Sequence, residues 1–233
     1  MQDVLDGEVR EEALVAALKS GKSSVKELLS QVEEPREKEA LMVSLSDATW
    51  GRGYSVRDSK LMQMLPLYAE IDSPEILNQV FFGMTNFWAD SDFEGFRNYL
   101  KTSQAQSVSE RNFSDAMGLF AFSEPEEAMA FLLDLPEHLR DSSTQRAYWD
   151  WYRIRPDEAV SWAEKLEGDD PRLSGVVENL DHFLFENHEE AVRQLNAFSP
   201  PLKIFLREHI QELIEKNNGF HSIKVGRLIW KES

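Results

Sequence analysis

The chain of 233 residues contains no cysteine. Disulfide bonds, thiolate nucleophiles and cysteine-ligated metals are therefore excluded, and both oxidising and reducing compartments are compatible with the sequence. No apolar run approaches the roughly 20 residues that a membrane-spanning helix needs. The first residues, MQDVLDGEVREE, lack the basic start and the apolar middle of a signal peptide. We expect a soluble protein without a membrane partner, either cytoplasmic or exported (periplasmic included) after removal of a signal peptide.

Motifs of catalysis are also missing. The sequence has no G-x-S-x-G and no H-E-x-x-H, and GRG at 51–53 lacks the frame of a phosphate loop. His182 and Glu186 stand four residues apart on one predicted helix face, and such a pair can supply two metal ligands. The nearby His188 takes a helix-start position that proline occupies in related segments. We predict no catalytic residue, no metal and no cofactor; a metal-dependent enzyme built on His182 and Glu186 stays an alternative.

Positive charge is scarce, since 25 basic residues face 42 acidic ones and the formal net charge is −17. Such a field repels nucleic-acid phosphates and anionic membranes, so we expect neither as a direct partner. It suits a basic protein partner, and it also serves solubility alone. Residues 124–190 carry 18 acidic and 6 basic residues. An acidic inhibitor or nucleic-acid mimic that occupies a basic groove is therefore a second alternative.

Large apolar side chains are abundant. Hydrophobic residues make up 42% of the chain, and they include 14 Phe and 6 Trp. A disordered chain would not carry this many, so we predict a folded protein. Its length suits one large domain or two small ones.

A helix start recurs along the second half of the chain. RPDEAVSWAEKL at 155–166 resembles EPEEAMAFLLDL at 124–135 and NHEEAVRQLNAF at 187–198, and a more worn copy, DFEGFRNYL, lies upstream at 92–100. Apolar residues follow each shared alanine at the third, fourth and seventh positions, with one polar lapse at Gln194. This is one face of an amphipathic helix. Proline at the first helical position and acidic residues behind it are typical of a helix N-terminus.

A second set of apolar segments lies between these helix starts. The i, i+3, i+4, i+7 spacing holds for Phe113, Ala116, Met117 and Phe120, and again for Leu173, Val176, Val177 and Leu180. Two helices in ~32 residues form a helical hairpin, and sustained hairpins form a solenoid. We predict an all-α fold, a right-handed α-solenoid. Four hairpins would occupy 91–217, after an irregular helical part at 1–90 and before a C-terminal tail at 218–233.

The motif P-x-E-A-h-x-W-A-x-x-L, which recurs with this same period, resembles bacterial helical-hairpin repeats. Tetratricopeptide and Sel1-like arrays share this architecture. The sequence is more similar to uncharacterised repeats of the form PEAALAWA…L found in exported proteins of planctomycetes and verrucomicrobia. The resemblance covers 91–217 and implies scaffolding or protein–protein binding, with no catalytic residues to transfer.

Aromatic residues are concentrated at 148–152, and they cannot all face one side of a helix. Most of them are expected to pack between hairpins. At least one is expected to reach the surface and anchor a partner, although a purely structural role stays open. We predict a non-catalytic protein–protein interaction or scaffold module that binds a protein or peptide on the side chains of successive first helices. The partner-binding candidates are Trp149, Trp151, Tyr152, Arg153, Arg155 and Trp162. The sequence leaves the oligomeric state open.

Overall fold

The computed structural model describes residues 73–216, together with the isolated residues Val32, Glu37, Lys38 and Val43. Within 73–216 the chain forms nine α-helices and no β-strand. The all-α prediction is confirmed for this part of the chain. Most of the irregular helical part predicted at 1–90 and the tail at 218–233 lie outside the described residues.

The helices alternate between long and short. In chain order they are α1 (Pro74–Ser91), α2 (Phe93–Leu100), α3 (Glu110–Ser123), α4 (Pro125–Phe131), α5 (Glu137–Ile154), α6 (Pro156–Ala163), α7 (Leu173–Glu186), α8 (His188–Ala197) and α9 (Pro200–Lys216). Two short 3₁₀ turns occur at Ala105–Ser107 and Leu132–Asp134. The chain divides into two compact units, Met1–Ala116 and Met117–Ser233.

Three helices begin at the prolines where the sequence predicts a helix start. Ser73 caps α1 by accepting a hydrogen bond from the Ile76 N–H at 3.4 Å, and Pro74 follows at the first helical position. Pro125 and Pro156 likewise begin α4 and α6. Proline costs no hydrogen bond there, because the first N–H groups of a helix have no partner within the helix.

A single residue joins each long helix to the short helix that follows it. The four junction residues are Asp92, Glu124, Arg155 and Asn187, with φ between −148° and −132° and ψ between 67° and 81°. At each one the N–H donates to the carbonyl four residues earlier, at 2.8 to 2.9 Å. Its own carbonyl accepts from the N–H four residues later, at 2.9 to 3.1 Å. The junction residue therefore contributes one backbone hydrogen bond to each of the two helices while the chain turns.

Aromatic rings pack across three of these junctions. We call each pair an aromatic clasp; one ring lies four residues before the junction and the other seven after it. The clasps are Trp88–Tyr99 at 4.9 Å between ring centroids, Phe120–Phe131 at 6.2 Å and Trp151–Trp162 at 5.4 Å. At the fourth junction the corresponding residues are Phe183 and Gln194. Gln194 is buried, and its Nε2 lies 3.5 Å from the Tyr148 hydroxyl.

In the first unit, asparagine side chains connect α1 to the start of α3. The Oδ1 of Asn78 accepts the Ser109 N–H at 2.7 Å. The Nδ2 of Asn112 donates to the Asn78 backbone carbonyl, also at 2.7 Å. The first of these bonds satisfies a backbone group near the N-terminus of α3, where N–H groups have no partner within the helix.

In the second unit the long helices α5, α7 and α9 pack side by side, with α4 and α6 against α5 and α8 against α7. Gly175 of α7 lies close against α5. A Cβ atom there would lie 2.7 Å from Thr144 Cγ2 and 2.8 Å from the Thr144 carbonyl oxygen. The absence of a side chain at Gly175 therefore sets the spacing of these two helices.

We expect Gly175→Ala to destabilise the protein, because the added methyl group meets backbone that cannot rotate away. Overpacking of this kind costs about 1–3 kcal/mol, more than the ~1 kcal/mol that alanine gains over glycine in helix propensity. Urea unfolding followed by circular dichroism measures the change. The control is Gly168→Ala, where the nearest atom to a new Cβ is 3.8 Å away. Equal midpoints for Gly175→Ala and the wild type would contradict the close approach.

We expect Trp162→Ala to destabilise the protein by about 3–5 kcal/mol, since it opens a cavity in the core. Only 8% of Trp162 is exposed, and its ring packs on Trp151 and Tyr148. The same urea experiment tests this loss. Trp149→Ala, at a half-exposed position of α5, should cost less. A smaller loss for Trp162→Ala than for Trp149→Ala would show that the clasp is not a core contact.

Candidate functional site

The structure separates the six predicted partner-binding residues into interior and surface groups. Trp151, Tyr152 and Trp162 are only 2%, 4% and 8% exposed, so they build the core rather than a contact surface. Trp149 and Arg155 are half-exposed, and the Arg153 side chain is 64% exposed. Of the six residues, Trp149, Arg153 and Arg155 are therefore the ones accessible at the surface.

Trp149 belongs to a surface cluster that also contains His182 and Phe183 of α7, which we call the aromatic patch. The Trp149 and Phe183 rings stack at 4.9 Å between centroids with an interplanar angle of 23°. The His182 ring meets Trp149 edge-on at 4.5 Å. All three side chains are half-exposed. The stacking holds the indole in one orientation, so a partner would bind it at little cost in side-chain entropy.

A buried carboxylate positions the basic residues next to the patch. Asp150 is 6% exposed, and its oxygens lie 2.7 Å from Arg146 Nε and 3.5 Å from the Arg153 guanidinium. A Cβ at Gly118 of α3 would collide with the Asp150 carboxylate, so the glycine leaves room for it. Both arginines keep large exposed fractions. The arrangement therefore offers basic groups beside an aromatic surface in a protein whose net charge is −17.

A second polar cluster connects α5 to α8. The Tyr152 hydroxyl donates to Glu190 Oε1 at 2.7 Å, and Arg193 donates to both Glu190 oxygens at 2.6 and 2.9 Å. The hydrogen bonds from Arg193 hold the pKa of Glu190 below its usual value; partial burial opposes this, and Tyr152 adds to it. The sequence explains Glu190 as an acidic residue in a first helical turn, whereas the structure shows an additional contact between helices.

The His182–Glu186 pair forms the contact that its spacing predicts, with His182 Nε2 3.0 Å from Glu186 Oε2. His188 begins α8, and its side chain is not among those described. Among the described residues, no three carboxylate or imidazole groups converge as a set of metal ligands. No described helix has the length and apolar character of a membrane span.

A groove that the sequence did not predict lies between α7, α9 and the loop at 164–172, and we call it the acidic groove. Its volume is about 280 Å³. Its walls include the apolar residues Leu173, Val177 and Phe205 and the acidic residues Asp169, Glu178 and Glu212. The sequence carries no local signal for it, because its walls come from two segments that are distant in sequence, at 168–178 and 205–212.

Comparison of the chain with protein families, curated proteins and solved structures finds no match. The function is therefore inferred from the geometry of the described residues.

We expect Glu190→Gln to lower the free energy of unfolding at pH 7 by about 1 kcal/mol, because Arg193 loses its anionic partner and one of the two oxygens that accept its hydrogen bonds. A depressed pKa in the folded state stabilises the protein above the unfolded-state pKa of about 4.3, and this stabilisation disappears as the pH falls through the folded-state pKa. The difference in the free energy of unfolding between wild type and Glu190→Gln should therefore become smaller as the pH falls from about 5 to about 3. Chemical unfolding across this range measures it.

The matched control is Glu189→Gln, which removes an equal charge from an exposed residue in the same helical turn. We expect its effect at pH 7 to lie within about 0.5 kcal/mol of zero. A difference between wild type and Glu190→Gln that stays constant with pH would contradict the role of this carboxylate.

Proposed function

We propose that this chain is a non-catalytic binding module, a right-handed α-solenoid of helical hairpins with repeats of ~32 residues, and that it binds a protein or peptide through the aromatic patch. Its role is that of a scaffold or interaction module. A single observation carries the proposal: the half-exposed Trp149 is held in place by the rings of His182 and Phe183, and the exposed Arg153 lies one turn away on the same helix.

The recurring junction supports the repeat architecture. Asp92, Glu124, Arg155 and Asn187 follow one another at a nearly constant interval and share one backbone conformation and one hydrogen-bond pattern. Each junction joins a long helix to a short one. A hairpin repeated at a constant period buries its apolar face on its neighbours, which is the principle of a solenoid.

The chemistry of the patch supports binding to a polypeptide. Tryptophan and arginine are enriched among the residues that dominate protein–protein affinity, and such residues cluster in water-excluding surroundings. Trp149 supplies a large rigid apolar area, and Arg153 supplies donors for backbone carbonyls or carboxylates of a partner. Both lie on α5, the second helix of its hairpin, whereas the sequence predicted a surface of first helices.

We expect Trp149→Ala and Arg153→Ala each to remove a specific partner from the protein. In the test, the immobilised full chain captures proteins from a lysate of its source cells at about 50 mM and about 500 mM salt. Quantitative mass spectrometry compares wild type, both variants and the control Phe122→Ala, which removes a ring that is 53% exposed on α3. Loss of a hot-spot residue weakens binding by about 2 kcal/mol or more, a factor of about 30.

A protein retained at both salt concentrations by wild type and Phe122→Ala, and lost with both patch variants, would support the proposal. Equal retention by all four proteins would contradict it. Retention of basic nucleic-acid-binding proteins only at low salt, unaffected by the patch variants, would favour the acidic mimic instead, since exposed charges are screened over about 10 Å at 0.1 M.

A further inference from the structure

The acidic groove is small for a ligand pocket, although it has room for a long side chain. Its volume of about 280 Å³ lies just below the roughly 300–1,000 Å³ of typical small-molecule pockets. The loop that forms one wall is held in place by Arg172, which donates to both carboxylate oxygens of Asp170 at 2.6 and 2.9 Å. Arg172 also donates to the Met129 carbonyl at 3.4 Å. One arginine thus fixes the loop both internally and against Met129, so the groove is preformed.

Part of the groove surface is apolar. Leu173 and Val177 are buried one turn apart on α7. Phe205 and His209 stand one turn apart on α9, with ring centroids 3.9 Å apart. The His209 Nδ1 lies 3.0 Å from the Phe205 carbonyl oxygen, which accepts a hydrogen bond when Nδ1 carries the proton. These surfaces suit an aliphatic stem more than a hydrated ion.

The polar part of the groove is acidic. Asp169, Glu178 and Glu212 line it. None of the ion pairs between described residues involves these three carboxylates. By contrast, the fourth acidic residue of the groove, Asp170, is neutralised by Arg172. The negative charge of the groove is therefore not balanced by described basic side chains.

The surroundings of Glu178 disfavour its ionised form. Glu178 is half-buried, and burial together with the charges of Asp141 and Asp181 raises its pKa. Burial also raises the pKa of Asp181. A half-buried carboxylate beside two others is costly when ionised, and a cation brought to it relieves that cost.

We propose that the acidic groove binds one lysine or arginine side chain of a partner polypeptide, with its stem against Val177 and Phe205 and its charged head at Glu178. Long basic side chains pack their methylene stems on apolar surface while the head stays with polar groups. The inference deepens the proposed function by naming the chemistry of the partner, and it rests on that function. A bare divalent cation fits less well, because it demands several converging oxygen ligands.

The test uses the full chain, labelled with ¹⁵N, and three synthetic peptides followed by NMR. The probe is acetyl-Gly-Leu-Lys-Leu-Gly-amide, and the two control peptides carry norleucine or glutamate in place of lysine. Norleucine keeps the stem and removes only the charged group. We expect saturable shifts of the Gly168, Glu178 and His209 amides with the lysine peptide. Binding should be weaker by about fivefold or more with norleucine, and absent with glutamate.

Glu178→Gln should lower the affinity for the lysine peptide by about the same fivefold factor. Its affinity for the norleucine peptide should equal that of the wild type. Glu208→Gln, at an exposed residue of α9 that does not line the groove, is the matched control and should bind like wild type. Because the pKa of Glu178 is raised, its ionised form destabilises the folded state at pH 7. Glu178→Gln should therefore unfold at a higher temperature than wild type, so weaker binding is not a sign of misfolding.

Equal affinity for the lysine and norleucine peptides, no binding of either, or an unchanged affinity in Glu178→Gln would overturn the proposal. A further variant, Lys224→Gln/Arg227→Gln/Lys231→Gln, tests whether the basic C-terminal segment of the chain is the occupant. If that segment occupies the groove, its removal should free the groove and raise the affinity for the lysine peptide by about tenfold. This result would overturn the proposal that a partner supplies the side chain. If Trp149→Ala loses the captured partner but no peptide binds the groove, the proposed function stands and the groove proposal fails. If the lysine peptide binds the groove but the patch variants retain every captured protein, binding through the aromatic patch is rejected.

Discussion

The one-residue junction between a long helix and a short one is the constraint on which the rest of the described structure depends. At Arg155 the same residue ends the hydrogen-bond ladder of α5 and begins that of α6, so the direction of the chain changes while the N–H and the carbonyl of this residue are both paired. The rigid turn brings Trp151 against Trp162. A looser connection would not fix the register of these rings, and the core between the helices would lose its shape.

The local structure could be predicted from sequence because its signals are local. Proline at 125 and 156 sets the helix starts, and the spacing around Leu173 and Phe113 identifies the buried faces. Even the polar lapse at Gln194 lies on the interior face, as the periodicity predicts. Each of these signals depends only on the period of the helix or on the backbone geometry of proline.

The candidate site was only partly predictable. Aromatic residues fill 148, 149, 151 and 152, which together cover an arc of about 160° of the helix, and Trp149 and Trp151 lie at its two ends. Periodicity alone therefore does not decide which of the two tryptophans is buried. The partners of Trp149 come from α7, the next long helix of the chain. The acidic groove depends on the spacing of α7 and α9 and on the loop held by Arg172. Tertiary packing decides these features, and no short segment of sequence contains it.

The two tyrosines of α5 have a consequence for the order in which similar helices assemble. Tyr148 and Tyr152, one turn apart, meet Gln194 and Glu190 of α8. Helices of similar sequence can exchange places while a chain folds. If α8 docked on a different long helix, its amide and carboxylate would lose these hydroxyl partners. Helices α4 and α6 also carry a glutamate at the position of Glu190, but they have Phe131 and Trp162 where α8 has Gln194. The contact of Gln194 with Tyr148 therefore distinguishes α8 from the other two short helices.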